Sequence, residues 1–188
     1  MAHDAHENND SIFKIGMNLT IACLLASAVI AGTYALTAPV AAKSKIEQGN
    51  KARKELVVDA QDFKEVEGKT GWYAALKDGK VIAYVVPAES KGYGGAIDML
   101  AAVSIDGKVI DYAILKFNET PGLGDKADKP AFRQRFAGKS AADLEVVKVP
   151  SDKNIQALTG ATITSRAVTK GIKEAVEEVT AFAATQKK

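Results

Sequence analysis

The chain of 188 residues has one cysteine, Cys23, and two histidines, His3 and His6. A single thiol forms no intramolecular disulfide, no Cys-rich zinc site and no thiolate-held iron–sulfur cluster. With no imidazole beyond His6, a Ser-His-Asp or Cys-His hydrolase finds no base in the body of the chain. Net charge is also nearly absent: 25 Lys+Arg against 23 Asp+Glu leave +2, and no basic stripe speaks for a nucleic-acid partner. Asp125 and Asp128 stand among Lys126 and Lys129 and read as a solvated face, so no metal site is expected. No catalytic residue stands out either. The length suits one ordinary domain with a short appendage.

Charge is missing altogether from the 28 residues between Lys14 and Lys43, which include the apolar run Leu19 to Leu36. A bilayer-spanning helix needs about 20 such residues. This gives a polar tail over 1–14, a transmembrane helix over 15–38 that Pro39 ends or kinks, and a helical stalk over 39–55. Cys23 lies inside the span and reads as a packing residue. Val40-Ala41-Ala42 offers a peptidase small residues, and cleavage there would release a secreted protein. The apolar region exceeds the about 7–15 residues of a signal-peptide core, which favours a retained anchor in membrane lipid. Lys43, Lys45, Lys51, Arg53 and Lys54 follow the span and Lys14 alone precedes it, so a literal positive-inside count puts the following domain in the cytoplasm.

Residues 56–188 read as one α+β domain with an antiparallel sheet. Asp78-Gly79 joins the β-rich runs Trp72–Lys77 and Val81–Val86, and Asp106-Gly107 joins Met99–Ile105 to Val109–Leu115; Asp-Gly between such runs is a strong hairpin cue. Ser90-Lys91-Gly92-Tyr93-Gly94-Gly95 lacks the G-x-G-x-x-G order and the strand–helix–strand context of a Rossmann site, and reads as a loop permitting close backbone approach. Pro121-Gly122 predicts a tight turn, type II by preference. Pro130 to Phe136 is a short helix stopped at Gly138, and Leu144 to Val149 a strand. A last helix starts near Thr164, with Val168, Ile172, Ala175, Val179 and Phe182 on its core face.

The most informative stretch is Leu158-Thr159-Gly160-Ala161-Thr162-Ile163-Thr164-Ser165, four hydroxyls around one glycine ahead of that helix. Such residues cap helices. The same layout also holds phosphate, through close backbone approach at Gly160 and the unpaired amides and dipole of the helix start. Spacing alone leaves both readings open.

Thr159-Gly160-Ala161-Thr162 resembles the S/T-G-A-T flavinylation signature of the FMN-binding domain family, and Glu119-Thr120-Pro121-Gly122-Leu123-Gly124 resembles a loop that lines the flavin site in that family. Leu158 and Ile163 to Val168 resemble, more narrowly, the G subunits of Rnf-type ion-translocating electron transport complexes. Gln156 stands where that family commonly has an acidic residue. The resemblance implies FMN attached covalently, through its phosphate, to Thr162, with Thr159, Gly160, Ala161, Glu119, Thr120, Leu123 and Gly124 forming the cofactor site. Trp72, Tyr73, Tyr84 and Tyr93 are candidates for apolar surroundings of the flavin. It further implies a subunit that relays electrons without a complete active site of its own, other Rnf-type subunits and a flavin transferase as partners, and an inner-membrane location with the domain on the extracytoplasmic side. Open alternatives are the C subunit of the sodium-translocating NADH:quinone oxidoreductase and a tethered or secreted binding or assembly module without cofactor.

Overall fold

The computed structural model describes residues 7–186, apart from the side chains of residues 7–11, 42, 43, 45, 46 and 48. It divides into two compact units, residues 1–47 and residues 48–188.

The first unit is helical. Helix α1 runs from Glu7 to Leu56, 50 residues, and continues into the second unit. Residues 1–6 of the expected tail lie outside the described residues, but its remainder is helical. Pro39 lies inside the helix and does not end it, so the expected stalk continues the same helix. A proline removes one backbone donor, here the bond that an amide at position 39 would make to the Ala35 carbonyl, and the flanking turns stay intact. The stretch Ile12–Ala41 is long and apolar enough to cross a membrane, with none of its most apolar window buried. Its threonine hydroxyls turn inward on the backbone, Thr20 donating to the Gly16 carbonyl at 2.9 Å and Thr37 to that of Thr33 at 2.8 Å. This hides polar groups on an otherwise apolar helix.

The second unit is built on a five-stranded antiparallel sheet in the order β1-β2-β3-β4-β5, with β1 at Asp62–Glu65, β2 at Tyr73–Lys77, β3 at Lys80–Lys91, β4 at Ala96–Ser104 and β5 at Val109–Lys116. Both hairpins close where the Asp-Gly pairs stand. Asp78 and Gly79 take φ of 52° and 74°, the two positive values a type I′ turn needs to match strand twist. Side chains alternate between faces with a period of two, and in β4 both faces are covered. Ile97, Met99, Ala101 and Val103 join the larger core under the last helix, α3 (Thr162–Gln186). Leu100 and Ala102 point the other way, with Ala75, Ala83 and Val85, against Ala52 and Leu56 of α1 and Val57 beyond it. Small residues on that second face let the helix approach closely.

Helix α3 begins two residues before the expected start, at Thr162. Val168, Ile172, Ala175 and Val179 are buried as their spacing predicts, and Phe182 packs edge-on against Trp72 and Tyr84, both at 5.5 Å between ring centroids. Between β5 and α3 the chain is mostly loop. It forms a 3₁₀ turn at Gly124–Asp128, the short helix α2 at Pro130–Arg133, a second 3₁₀ turn at Ala141–Asp143, and two-residue strands β6 (Val146–Val147) and β7 (Ile155–Gln156), paired in parallel. The expected strand Leu144 to Val149 is thus reduced to two residues. Phe132 and Phe136 anchor the segment, stacked edge-on with each other at 5.4 Å and with Phe136 on Tyr112 at 5.0 Å. The Tyr112 hydroxyl donates to the Ala127 carbonyl at 2.5 Å and so fixes the first 3₁₀ turn. Burial pushes the Tyr112 phenol far above its ordinary pKa, keeping it a neutral donor.

Candidate functional site

Two glycine turns, far apart in sequence, meet at the start of α3. In the first, the Leu123 amide donates to the Thr120 carbonyl at 3.1 Å across Pro121 and Gly122, and Gly122 has φ of 78°. In the second, the Ala161 amide donates to the Leu158 carbonyl at 3.0 Å across Thr159 and Gly160, and Gly160 has φ of 77°. Both are type II turns, whose third position requires a positive φ that glycine adopts without strain. They touch: a Cβ built on Gly160 would lie 3.0 Å from Leu123 Cδ2.

Between them is a cleft of about 600 Å³ lined by Tyr93, Glu119, Thr120, Leu123, Gly124, Gly160, Ala161, Thr162, Ile163 and Thr164. That volume lies within the about 300–1,000 Å³ range of small-molecule and cofactor sites. Of the residues singled out from the sequence, all but Thr159 line it; Thr159 is exposed on the turn. Of the four aromatic candidates only Tyr93 is there. Trp72 and Tyr84 are core residues against Phe182, and Tyr73 is covered by the Arg53 guanidinium 3.7 Å from its ring centroid. Tyr93, Leu123 and Ile163 leave an apolar rim exposed at 72%, 40% and 55%. Ile163 and Thr164 enter through the helix start, a consequence of α3 beginning at Thr162.

The hydroxyls of the second motif divide sharply. Ser165 is fully buried; its Oγ accepts the Leu158 amide at 2.9 Å and donates to the Ala161 carbonyl at 2.9 Å, tying the glycine turn to the helix. The Thr164 hydroxyl, 2% exposed as a residue, donates to Glu119 Oε2 at 2.6 Å. These two hydroxyls serve the local framework, and neither accepts from the first amides of α3 as a capping side chain would. Thr162 is half-buried in the cleft wall, and its hydroxyl makes no hydrogen bond among the described residues. The first backbone bond of α3 is Ser165 to Ala161 at 3.0 Å, so the amides of Thr162, Ile163 and Thr164 precede the helical ladder.

Glu119 Oε1 accepts the Gly94 amide at 3.2 Å, which brings the Gly92–Gly95 loop behind the cleft. Asp125 and Asp128 are half-buried instead of forming a solvated face, and Asp125 Oδ1 is buried with no hydrogen-bond partner. No group of three or more His, Cys, Asp or Glu suited to a metal occurs among the described residues. Gln156 lies in β7, where its carbonyl accepts from Arg135 Nη1 at 2.6 Å.

Residues 92–177 match the FMN-binding domain family. The chain is 58% identical, over 97% of its length and 98% of the relative's, to the G subunit of a proton-translocating ferredoxin:NAD(+) oxidoreductase complex from Clostridium ljungdahlii. The G subunit of a Na(+)-translocating ferredoxin:NAD(+) oxidoreductase complex from Acetobacterium woodii is 33% identical, covering 88% of this chain and 90% of its own. The crystal structure of Shewanella oneidensis NqrC shares the fold, with a TM-score of 0.52 and 20% identity over 68% of this chain and 73% of that one. Full-length similarity to two G subunits, together with a flavin-family match that spans both glycine turns and the cleft between them, fixes the relationship: the chain belongs to the G-subunit family of ion-translocating ferredoxin:NAD(+) oxidoreductase complexes.

Proposed function

We propose that this chain is a membrane-anchored electron carrier of an Rnf-type complex, holding FMN through a phosphoester bond to Thr162 Oγ1. One observation carries the assignment. Of the hydroxyls in the Thr159–Ser165 motif, Ser165 and Thr164 are committed to the framework and Thr159 stands outside the cleft, which leaves Thr162 as the one hydroxyl of that motif free in the wall.

The residues present fit FMN. Gly124 forms part of a cradle that a side chain would fill, since a Cβ there would lie 2.9 Å from Thr164 Oγ1. Tyr93, Leu123 and Ile163 offer apolar surface for a flat ring, and the first amides of α3 favour the one negative charge a phosphodiester keeps. Helix dipole and amides together contribute about 0.3–1 kcal/mol at an exposed site, too little to retain a cofactor. An ester bond removes dissociation altogether. Bound FMN supplies one- and two-electron transfer, and the chain supplies position and dielectric. Flavin transferase is the maturation partner, the remaining subunits of the complex are the redox partners, and Ile12–Ala41 is the anchor in the lipid of the inner membrane. Against the charge count around the span, and as the family resemblance implies, the proposed side for the flavin domain is extracytoplasmic, where lost flavin cannot be recaptured from a cytoplasmic pool.

The test is flavin fluorescence of the denatured full-length chain on a gel, wild type beside Thr162→Val, from a host coexpressing a flavin transferase. Fluorescence is expected in the wild type alone, with an intact mass increased by FMN less one water. A dark wild type beside a labelled control protein from the same host would refute attachment and leave a tethered binding module as the better reading.

A further inference from the structure

Glu119 sits where three chain segments converge on one carboxylate. Its Oε2 accepts the Thr164 hydroxyl at 2.6 Å, and its Oε1 accepts the Gly94 amide at 3.2 Å. The backbone closes around it, because a Cβ on Gly124 would lie 2.7 Å from Glu119 Cβ and 2.8 Å from Oε2, and a Cβ on Gly92 would run into Oε1. A 2.6 Å contact falls in the short range of charge-assisted O–H···O⁻ bonds. Both oxygens are therefore engaged by the chain itself, although Glu119 also lines the cleft.

Thr164 is the third residue of α3 and Thr162 the first. Within one helical turn, two residues are separated by about 3 Å along the axis in a fixed rotation, so immobilising one immobilises the other. The carboxylate is also on the favourable side of the helix dipole. A group that ties the Gly92–Gly95 loop to this turn thereby sets where the Thr162 hydroxyl stands relative to the turn at Thr120–Leu123.

We infer that Glu119 is a positioning residue and not itself a flavin ligand, joining the Gly94 amide to the Thr164 hydroxyl so that Thr162 Oγ1 is held in place to take the FMN phosphoryl from a flavin dinucleotide on the transferase. The new ester bond forms as the bond to the departing nucleotide breaks and the hydroxyl proton is lost. The inference rests on attachment at Thr162, as proposed above. It separates roles within a loop that borders one cleft: Thr120 and Leu123 face the ligand, and Glu119 acts through Thr164.

The experiment compares initial rates of flavin attachment in full-length chains carried in membranes with coexpressed flavin transferase. The variants are Glu119→Ala, Glu119→Gln, Thr164→Val, Thr164→Ser and the double Glu119→Ala/Thr164→Val, each with a thermal melt and the visible circular dichroism of its attached flavin. Small misplacements of a reacting group lower rates by about 10- to 100-fold, and that is the loss expected for Glu119→Ala and for Thr164→Val. The double variant should be no slower than the worse single one, since both remove the same link. Glu119→Gln should stay close to wild type, because its amide oxygen accepts from Gly94 and its NH₂ donates to a Thr164 hydroxyl turned round. Thr164→Ser should do likewise, with a flavin dichroism matching the wild type.

Thr164→Val labelled at the wild-type rate, or single losses that multiply in the double, would overturn the positioning role. So would an altered flavin dichroism in Glu119→Gln beside an unaltered one in Thr164→Val, which marks a direct ligand. A wild type that takes no flavin refutes attachment itself and this role with it, whereas a labelled wild type with a rate-neutral Thr164→Val refutes this role alone.

Discussion

Two glycines in the first loop are required for different physical reasons, and substituting each separates them. At Gly122 the backbone has φ of 78° and nothing lies within 4 Å of where a Cβ would stand. Alanine there meets only the backbone cost of the left-handed region, about 1–2 kcal/mol. At Gly124 no positive φ is involved, but the Cβ would stand 2.7 Å from Glu119 Cβ, 2.8 Å from Glu119 Oε2 and 2.9 Å from Thr164 Oγ1. Overpacking of this kind costs about 1–3 kcal/mol, and relief by swinging Glu119 aside sacrifices a hydrogen bond to a charged group worth about 1.5–3 kcal/mol. The two costs are alternatives, so the cheaper route sets the loss at about 2 kcal/mol.

With about 2–4 °C of melting temperature per kcal/mol, Gly124→Ala should melt about 4–8 °C below wild type and Gly122→Ala about 2–8 °C below it. Alanine alone does not tell the two causes apart. Asparagine does, because it tolerates the left-handed region and is larger than alanine. Gly122→Asn should recover part of the loss seen with Gly122→Ala, whereas Gly124→Asn should melt lower than Gly124→Ala. The assay is far-ultraviolet circular dichroism of the detergent-solubilised full-length chain. If Gly124→Ala melted within about 1 °C of wild type, roughly a quarter of the smallest expected shift, the cradle argument would fail. If asparagine ranked the same way at both positions, the separation into φ and volume would fail.

Two further outcomes follow from buried hydroxyls. Ser165→Ala leaves the Leu158 amide unpaired beside a fully buried site, and an unsatisfied buried donor costs about 1–3 kcal/mol; lower melting and slower flavin attachment should appear together, because the same bond holds the Gly160 turn. Tyr112→Phe removes the donor to the Ala127 carbonyl and should cost about 1–3 kcal/mol near neutral pH. The folded phenol has a raised pKa, so its contribution is fully present below the ordinary value of 10.0; above it the unfolded chain ionises first and stability falls with rising pH. Melts recorded up to high pH should therefore lose less in Tyr112→Phe than in wild type above about pH 10, and parallel curves would refute the buried-phenol account.

The parts of the fold legible in the sequence were those encoded by local chemistry. Asp78-Gly79 dictates a hairpin because few other pairs accept two positive φ values, Asp106-Gly107 because Gly107 supplies the one positive φ its turn needs, and the spacing from Val168 to Val179 is a helix face wherever it occurs. Strands β6 and β7 contribute two residues each, too few for a period of two to show, and they pair across a loop of irregular backbone. Pro39 does not end the helix for an instructive reason: it costs one backbone bond and crowds the Ala35 carbonyl, while the Ala-, Lys- and Glu-rich turns that follow it favour helix. The aromatic residues show the same limit at the site. Tyr84 lies on an alternating strand and goes to the core, whereas Tyr93 stands between glycines in a loop with no buried face to join, a signal that separates them. Pro121-Gly122 is legible as a turn and Thr159–Ser165 as the approach to a helix, but the contact between Gly160 and Leu123 that makes them one wall depends on where the sheet and α3 place the loops.

On the proposed attachment at Thr162, the surroundings of the other hydroxyls at the start of α3 supply a reason for selectivity. Thr162, Thr164 and Ser165 lie within one turn and are chemically close, so any discrimination must come from what each oxygen already does. Ser165 is consumed by the Leu158 amide and the Ala161 carbonyl, and Thr164 by Glu119, which is itself held by Gly94. Each of these bonds removes an alternative acceptor and at the same time stiffens the turn that presents Thr162. The Tyr112–Ala127 bond extends the same logic one layer inward, fixing the 3₁₀ turn that begins at Gly124 against the aromatic pair Phe132 and Phe136. If flavin attaches at Thr162 as proposed, selectivity for that oxygen and rigidity of the cleft have one source, and a substitution that frees Thr164 or Ser165 should erode both together.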